Sequence, residues 1–252
     1  MKILSRLFGQ RARTPIVTLV PDHDPIELVA YYPEFISYYP ECEPQTKRWF
    51  VENVEDDWVI FDVGANIGYY SILFSRLAPN GKVFAFEPTT TIEFLKTNIA
   101  HHGCANVVPL KIALGMRSGK LTENIYRIWG REPERQIYDF STIDDMAQSL
   151  ELKRLDCLKI DVDSFDFEVL RGAERSLDKF NPWVLVELNH ALAKRNQSAA
   201  EALEWLTSRG YHTALVLDYD NYALRRTPDL LAANATPKIE LTFDTRPIFL
   251  LS

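Results

Sequence analysis

Short apolar runs punctuate the chain at residues 58–61, 83–86, 107–110, 155–160, 183–186 and 214–217. Each is rich in β-branched or aromatic residues and nearly continuous rather than alternating, the pattern of parallel strands covered on both faces. Between the runs lie helical patterns with readable ends. Thr90 and Glu93 form a capping box whose helix stops at Gly103, and Ser198 with Glu201 repeats the arrangement ahead of Gly210. Strands alternating with helices from about residue 44 predict an α/β fold: a doubly wound, mostly parallel sheet joined by right-handed crossovers.

Two stretches break the alternation. Residues 114–140 lack a helical pattern and carry Gly115, Gly119, Gly130 and Pro133, so they read as an irregular excursion over one edge of the sheet. Within it, Arg131 and Arg135 suit an anionic sugar or a phosphate, or are simply two solvated charges. The chain then ends as strand, turn, strand over 212–217, 222–226 and 239–250, which predicts an antiparallel strand closing the sheet. Residues 1–43 read as an N-terminal arm and lead-in, and 44–252 as one catalytic domain.

Composition narrows the partners. The 252 residues are 46% hydrophobic and 25% charged, as in ordinary globular proteins. A formal charge of −7 argues against nucleic acid as the main partner, because phosphate binding needs a basic face. Cys42, Cys104 and Cys157 have no metal or redox spacing, which suits reduced thiols in a cytoplasmic setting. No apolar run approaches the length of a membrane span. Residues 1–13 hold Lys2, Arg6, Arg11 and Arg13 among Ile3, Leu4, Leu7 and Phe8, so a weak peripheral membrane contact competes there with a frayed or packing arm.

The sharpest chemical signal is the segment Val59-Ile60-Phe61-Asp62-Val63-Gly64-Ala65-Asn66-Ile67-Gly68-Tyr69-Tyr70-Ser71. A buried strand runs into a small-residue turn and a helix follows. Gly64 and Ala65 let a ligand approach the backbone, and Gly68 lets the helix begin close to the strand. Helix-start N–H groups favour an anion. A dinucleotide loop reads GxGxxG, whereas here Asn66 and Tyr69 occupy two of the glycine positions and Asp62 would oppose a diphosphate. Asp62 suits a ligand with an ammonium or sulfonium group. Glu87 ends the next strand, nineteen residues past Gly68, where an acid can accept from both hydroxyls of an adenosine ribose; a helix-start or solvent-facing acid is the plainer alternative. Together, Asp62, Gly64, Ala65, Asn66, Gly68 and Glu87 predict an S-adenosylmethionine site.

These residues resemble the FkbM family of methyltransferases. Asp62 through Ser71 is similar to its first motif and Phe86-Glu87-Pro88 to its second, while Ser141-Thr142-Ile143-Asp144-Asp145 resembles the segment before its fourth strand. Leu158-Lys159-Ile160-Asp161-Val162-Asp163, continuing through Glu168-Val169-Leu170-Arg171-Gly172-Ala173, resembles its most distinctive stretch, and Glu187 completes the match over roughly residues 43–190. One departure is Asp163-Ser164, where the family commonly has Glu-Gly; the lost glycine restricts the backbone. The resemblance implies a class I, Rossmann-like fold with S-adenosylmethionine as donor. It also implies O-methylation, often of a sugar or natural-product hydroxyl, so the expected substrate is a small molecule or glycan.

In such a sheet, ligands bind beyond the carboxyl ends of the strands. Asp62, Glu87, Asp161 and Glu187 all close strands there and are expected to converge. Asp161 is the first candidate for the base that takes the acceptor's proton and Glu187 the second, with helix capping as the alternative role for each. Asp161, Glu187 and Asn189 also offer oxygen ligands for magnesium, but carboxylates facing a cationic cofactor need no ion, so no metal is expected. His190 is a weaker candidate base, and His101 and His102 end a helix. A nicotinamide-dependent oxidoreductase and a non-catalytic adenosine-binding scaffold remain the alternatives, and the sequence assigns no oligomeric state.

Overall fold

A computed structural model of the chain describes residues 14–128, 131–218 and 220–226. The lead-in forms an antiparallel hairpin of β1 (Ile16–Val20) and β2 (His23–Leu28), then two short 3-10 helices over Pro33–Ser37 and Tyr39–Glu41, then helix α1 (Pro44–Asn53). In β1 every second side chain is buried. Ile16, Val20, Ile26 and Leu28 join Trp49 and Phe50 of α1 in one apolar cluster, so this segment packs with the sheet's own core.

The winding that follows is β3 (Val59–Val63), α2 (Tyr69–Leu77), β4 (Lys82–Phe86), α3 (Ile92–His101) and β5 (Val107–Leu110). Next come β6 (Ala113–Leu114), β7 (Gly119–Ile125), β8 (Glu134–Ser141) and α4 (Ile143–Ser149). The second half runs β9 (Cys157–Ile160), α5 (Asp166–Arg171), α6 (Glu174–Phe180), β10 (Trp183–Glu187), a 3-10 helix over His190–Arg195, α7 (Ala199–Ser208), β11 (Tyr211–Leu217) and β12 (Asn221–Arg226). The main sheet has the order β11-β12-β10-β9-β3-β4-β5, parallel except for β12, which pairs antiparallel with both its neighbours. The sheet does contain a reversed strand, but β12 is inserted between β10 and β11 rather than closing the edge, which β11 forms. No helix among the described residues is long and apolar enough to cross a membrane.

Both faces of the sheet are covered, which explains why its central strands are nearly continuous apolar runs. Along β3, Ile60 enters one apolar cluster while Phe61 and Val63 enter the other. Phe61 meets Phe84 and Phe86 of β4 edge-on at 5.5 and 4.9 Å between ring centroids. Strand order reverses at β3, whose chain continues outward to β4 and β5 before returning to β9 on the other side. That junction is where an open parallel sheet leaves a crevice.

Three local expectations need correction or limits. Residues 114–140 are not irregular: β7 and β8 form an antiparallel hairpin from Gly119↔Phe140 to Ile125↔Glu134, with β6 as a third strand. Its alternation was obscured because β7 is exposed or half-buried at every position. Thr90 does not cap α3; Thr91 occupies that position without a side-chain bond, and Glu93 pairs with Lys96 instead. By contrast, Ser198 Oγ accepts from the Glu201 N–H at 3.3 Å, and Gly103 and Gly210 adopt the left-handed conformation expected of stops. The strand expected at 239–250 and the basic arm of residues 1–13 lie outside the described residues.

Candidate active site

A cavity of about 420 Å³ opens beyond the carboxyl ends of β3, β4, β9 and β10. Its floor is the turn after β3. Gly64 has φ +83°, and a Cβ on it would fall 1.8 Å from the Asp161 carbonyl oxygen. The glycine is therefore required by a backbone approach to the end of β9, which ties the two strand ends together. Gly68 has φ +94°, and a Cβ there would reach within 2.7 Å of Leu95 Cδ1 of α3. It sets the start of α2, while Gly64, Ala65 and Asn66 line the cavity.

Glu87 also lines the cavity, and its carboxylate is held from behind. Oε1 accepts from the Thr89 N–H (2.9 Å) and Thr89 Oγ1 (2.5 Å), and Oε2 accepts from the Asn66 N–H (3.1 Å). Burial pushes its pKa up, while these hydrogen bonds work in the opposite direction. One group thus fixes both the end of β4 and the turn after β3. The buried Asn66 Oδ1 in the same wall has no partner. A fixed double acceptor beside an unsatisfied amide oxygen and a backbone with no side chain in the way fits an adenosine-bearing ligand.

Asp62 is a correction. It is fully buried and does not line the cavity; its side chain turns toward α2, where it accepts from Ser71 Oγ (2.6 Å) and stands 3.6 Å from Lys159 Nζ. Strand alternation sends it under the turn rather than into the crevice, behind the wall that Gly64 and Asn66 form. Asp161 does line the cavity, with Oδ2 3.2 Å from the same Lys159 ammonium. Glu187 lines it too, and burial followed by the Asp161 charge pushes its pKa up to about 10. Asp163 is raised to about 8 and Asp166 to about 7, again chiefly by burial. Burial and the neighbouring Asp161 charge thus favour the protonated form of Glu187 in the ligand-free site, an effect that a cation entering the cavity opposes. Among the described residues no group of three His, Cys, Asp or Glu side chains is arranged to hold a metal ion.

Other wall residues carried no signal in the sequence. Glu34, Phe35, Tyr38, Tyr39 and Glu43 come from the lead-in, and Tyr126 and Arg127 from the tip of the β7–β8 hairpin. Arg131 does not itself line the cavity; it pairs at 3.4 Å with Glu34, a wall residue. His190 lines the cavity. His101 and His102 face Glu27, and His102 Nε2 lies 2.7 Å from the Glu27 carbonyl oxygen. The lead-in and hairpin are joined by Arg127, 5.7 Å from the Tyr32 ring.

A family model described as the methyltransferase FkbM domain matches residues 62–213. The chain is 30% identical over 153 residues to the hexuronic acid methyltransferase AglP of Haloferax volcanii, which covers 58% of this chain and 62% of that protein. It is 24% identical to Methyltransferase 1 of Beauveria bassiana over 67% of this chain and 78% of the other. Thus less than two thirds of AglP is spanned. Among solved structures, an FkbM methyltransferase from Methylobacillus flagellatus KT is similar with a TM-score of 0.43 at 16% identity, over 53% of this chain and 33% of that one. An O-methyltransferase from Bacillus cereus in complex with S-adenosylhomocysteine gives 0.48 at 14% identity, over 73% and 81%.

Proposed function

The chain belongs to the FkbM methyltransferase-domain family, and we propose that it moves the methyl group of S-adenosylmethionine to a hydroxyl of a carbohydrate or glycosylated metabolite. The observation that carries this reading is the cavity at the β3/β9 junction, which combines a ligand-accepting turn, a braced Glu87 and Asp161 within one wall. The volume suits a ligand of that size. Similarity to a protein named for hexuronic acid methylation supports a sugar as acceptor.

In this reading the donor would supply an electrophilic methyl on a sulfonium. Glu87 would accept from the ribose, and the Gly64–Asn66 turn would hold the nucleoside. Asp161 would orient the acceptor hydroxyl and take its proton as the O–C bond forms, the methyl's former bond to sulfur breaking to leave a thioether. Much of the rate can come from alignment of the two reacting atoms, with a positioned base adding about 10²–10⁴-fold. Glu187, in the same wall, can hydrogen-bond a second oxygen of the sugar.

The test is transfer of an isotopically labelled methyl group to a panel of neutral hexosides, hexuronosides and simple amines. The expected result is label on a sugar oxygen, with S-adenosylhomocysteine formed only when that acceptor is present. Label appearing only on nitrogen acceptors would overturn the reading.

A further inference from the structure

The cavity floor gathers more buried carboxyl groups than cations. Lys159 is buried, with Nζ 3.2 Å from Asp161, 3.6 Å from Asp62 and 4.8 Å from the Tyr70 ring centroid. One ammonium therefore serves two carboxylates, and Asp62 Oδ1 still has no hydrogen-bond partner although the residue is fully buried. A third carboxyl, Glu43, reaches the same place from the lead-in. Its oxygens accept from Tyr70 Oη (2.5 Å) and Asn221 Nδ2 (3.3 Å), both neutral donors, and no cation lies within ion-pair distance of it among the described residues. Burial is the largest cause raising its pKa and the Asp161 charge adds to the effect, while the shared Lys159 charge and the two hydrogen bonds oppose it. A buried carboxyl that shares its one cation with two others is stabilised in its charged form by a further, incoming cation.

The position of Glu43 says which cation. Its backbone is left-handed, φ 46° and ψ 56°, immediately before Pro44 opens α1, a conformation uncommon for a residue of this type. Glu43 stands beside Tyr70, at the start of α2, and Asp161, at the end of β9. Glu87 stands on the other side of the turn, at the end of β4. If Glu87 takes the ribose, a ligand lying across the Gly64 turn has its far end on the β9 side. In S-adenosylmethionine the far end is an amino acid, whose α-amino group is predominantly protonated at neutral pH. Glu43 also lies outside the segment 62–213 that the family model matches, and at the edge of the resemblance, ahead of its first motif.

We propose that Glu43 is a cofactor-binding residue that receives the α-ammonium of the donor's amino-acid tail, the role that sequence spacing gave to Asp62. The proposal rests on the S-adenosylmethionine reading of the cavity and names the residue that completes it. Lys159 then keeps Asp62 and Asp161 paired, while the ligand supplies the remaining positive charge.

Calorimetry with two probes tests it: S-adenosylhomocysteine, which has the tail, and 5′-methylthioadenosine, which has the same nucleoside and thioether without it. Wild-type protein should bind both. Glu43→Gln keeps the shape and should weaken S-adenosylhomocysteine at least tenfold while leaving 5′-methylthioadenosine within twofold. Tyr70→Phe, which removes one of the donors that aim Glu43, should give a smaller loss with the same selectivity and serves if the first variant fails to fold. Unchanged S-adenosylhomocysteine affinity in Glu43→Gln overturns the proposal, as does an equal loss for both probes. Wild-type protein binding neither probe overturns the cofactor reading itself, a result read before any variant is made.

Discussion

Replacing Glu87 by glutamine removes a carboxylate without emptying its space. In the native site Oε1 faces the Thr89 N–H at 2.9 Å and Oε2 faces the Asn66 N–H at 3.1 Å. A glutamine amide has one oxygen, so its NH₂ must point at one of these donors. That conflict exists with or without ligand and should lower the stability of the domain by about 1–3 kcal/mol, the cost of a buried donor left unpaired. Ligand affinity falls for a separate reason. The ribose hydroxyls lose a charged acceptor, worth about 1.5–3 kcal/mol, which is roughly 10–150-fold in Kd. S-adenosylhomocysteine and 5′-methylthioadenosine share the ribose, so titration calorimetry should show the same factor for both. Because burial raises the Glu87 pKa, acid should protonate wild-type Glu87 and narrow its difference from the variant. A folded Glu87→Gln protein with wild-type Kd for both ligands would refute the assignment of Glu87 to the ribose.

Asp161→Asn keeps the shape and hydrogen-bond reach of the side chain, so kcat for the acceptor found in the transfer screen should fall about 10²–10⁴-fold; Kd for S-adenosylhomocysteine should change far less, and EDTA should leave wild-type turnover intact. Full activity in the variant, or EDTA inhibition reversed by magnesium, would contradict this. Glu187, Asp163 and Asp166 have pKa values raised, chiefly by burial, to about 10, 8 and 7. A raised carboxyl pKa gives stability that is full below the unfolded value and is lost as pH climbs through the folded one. The Tm of ligand-free protein should therefore fall as pH rises from about 5 to about 9, and Asp161→Asn should flatten the slope because the Asp161 charge helps raise all three; a Tm that rises across that range contradicts the charge assignment. Ser164 sits at φ +99° where the family commonly has glycine. Such a conformation costs a non-glycine residue about 1–3 kcal/mol, partly offset by the flexibility glycine adds to the unfolded chain, so Ser164→Gly should raise the denaturant midpoint, and a lowered midpoint would show that the serine is not strained.

The strands of the main sheet were legible because both their faces are buried, which leaves an apolar run too continuous to mistake. The turn at Gly64 and Gly68 was legible for its residue types, yet the reason differs: Gly64 yields to the Asp161 carbonyl as much as to any ligand. Asp62 misled because position at a strand end does not say which face a side chain takes. β7 and β2 were missed, the first because none of its side chains is fully buried and the second because Pro25 interrupts it. Glu43, Tyr38 and Tyr39 reach the cavity across long sequence separations, and Lys159 read as one more residue of a strand. Nothing local distinguishes such residues; only the packing of β1, β2 and α1 onto the sheet brings the lead-in into the wall.

The central claim is that the cavity at the β3/β9 junction is built for S-adenosylmethionine. Its most direct test is calorimetric titration of wild-type protein with S-adenosylhomocysteine and, separately, with NAD. Saturable one-to-one binding of S-adenosylhomocysteine with no heat from NAD is the predicted result, and binding of NAD with none of S-adenosylhomocysteine would contradict it.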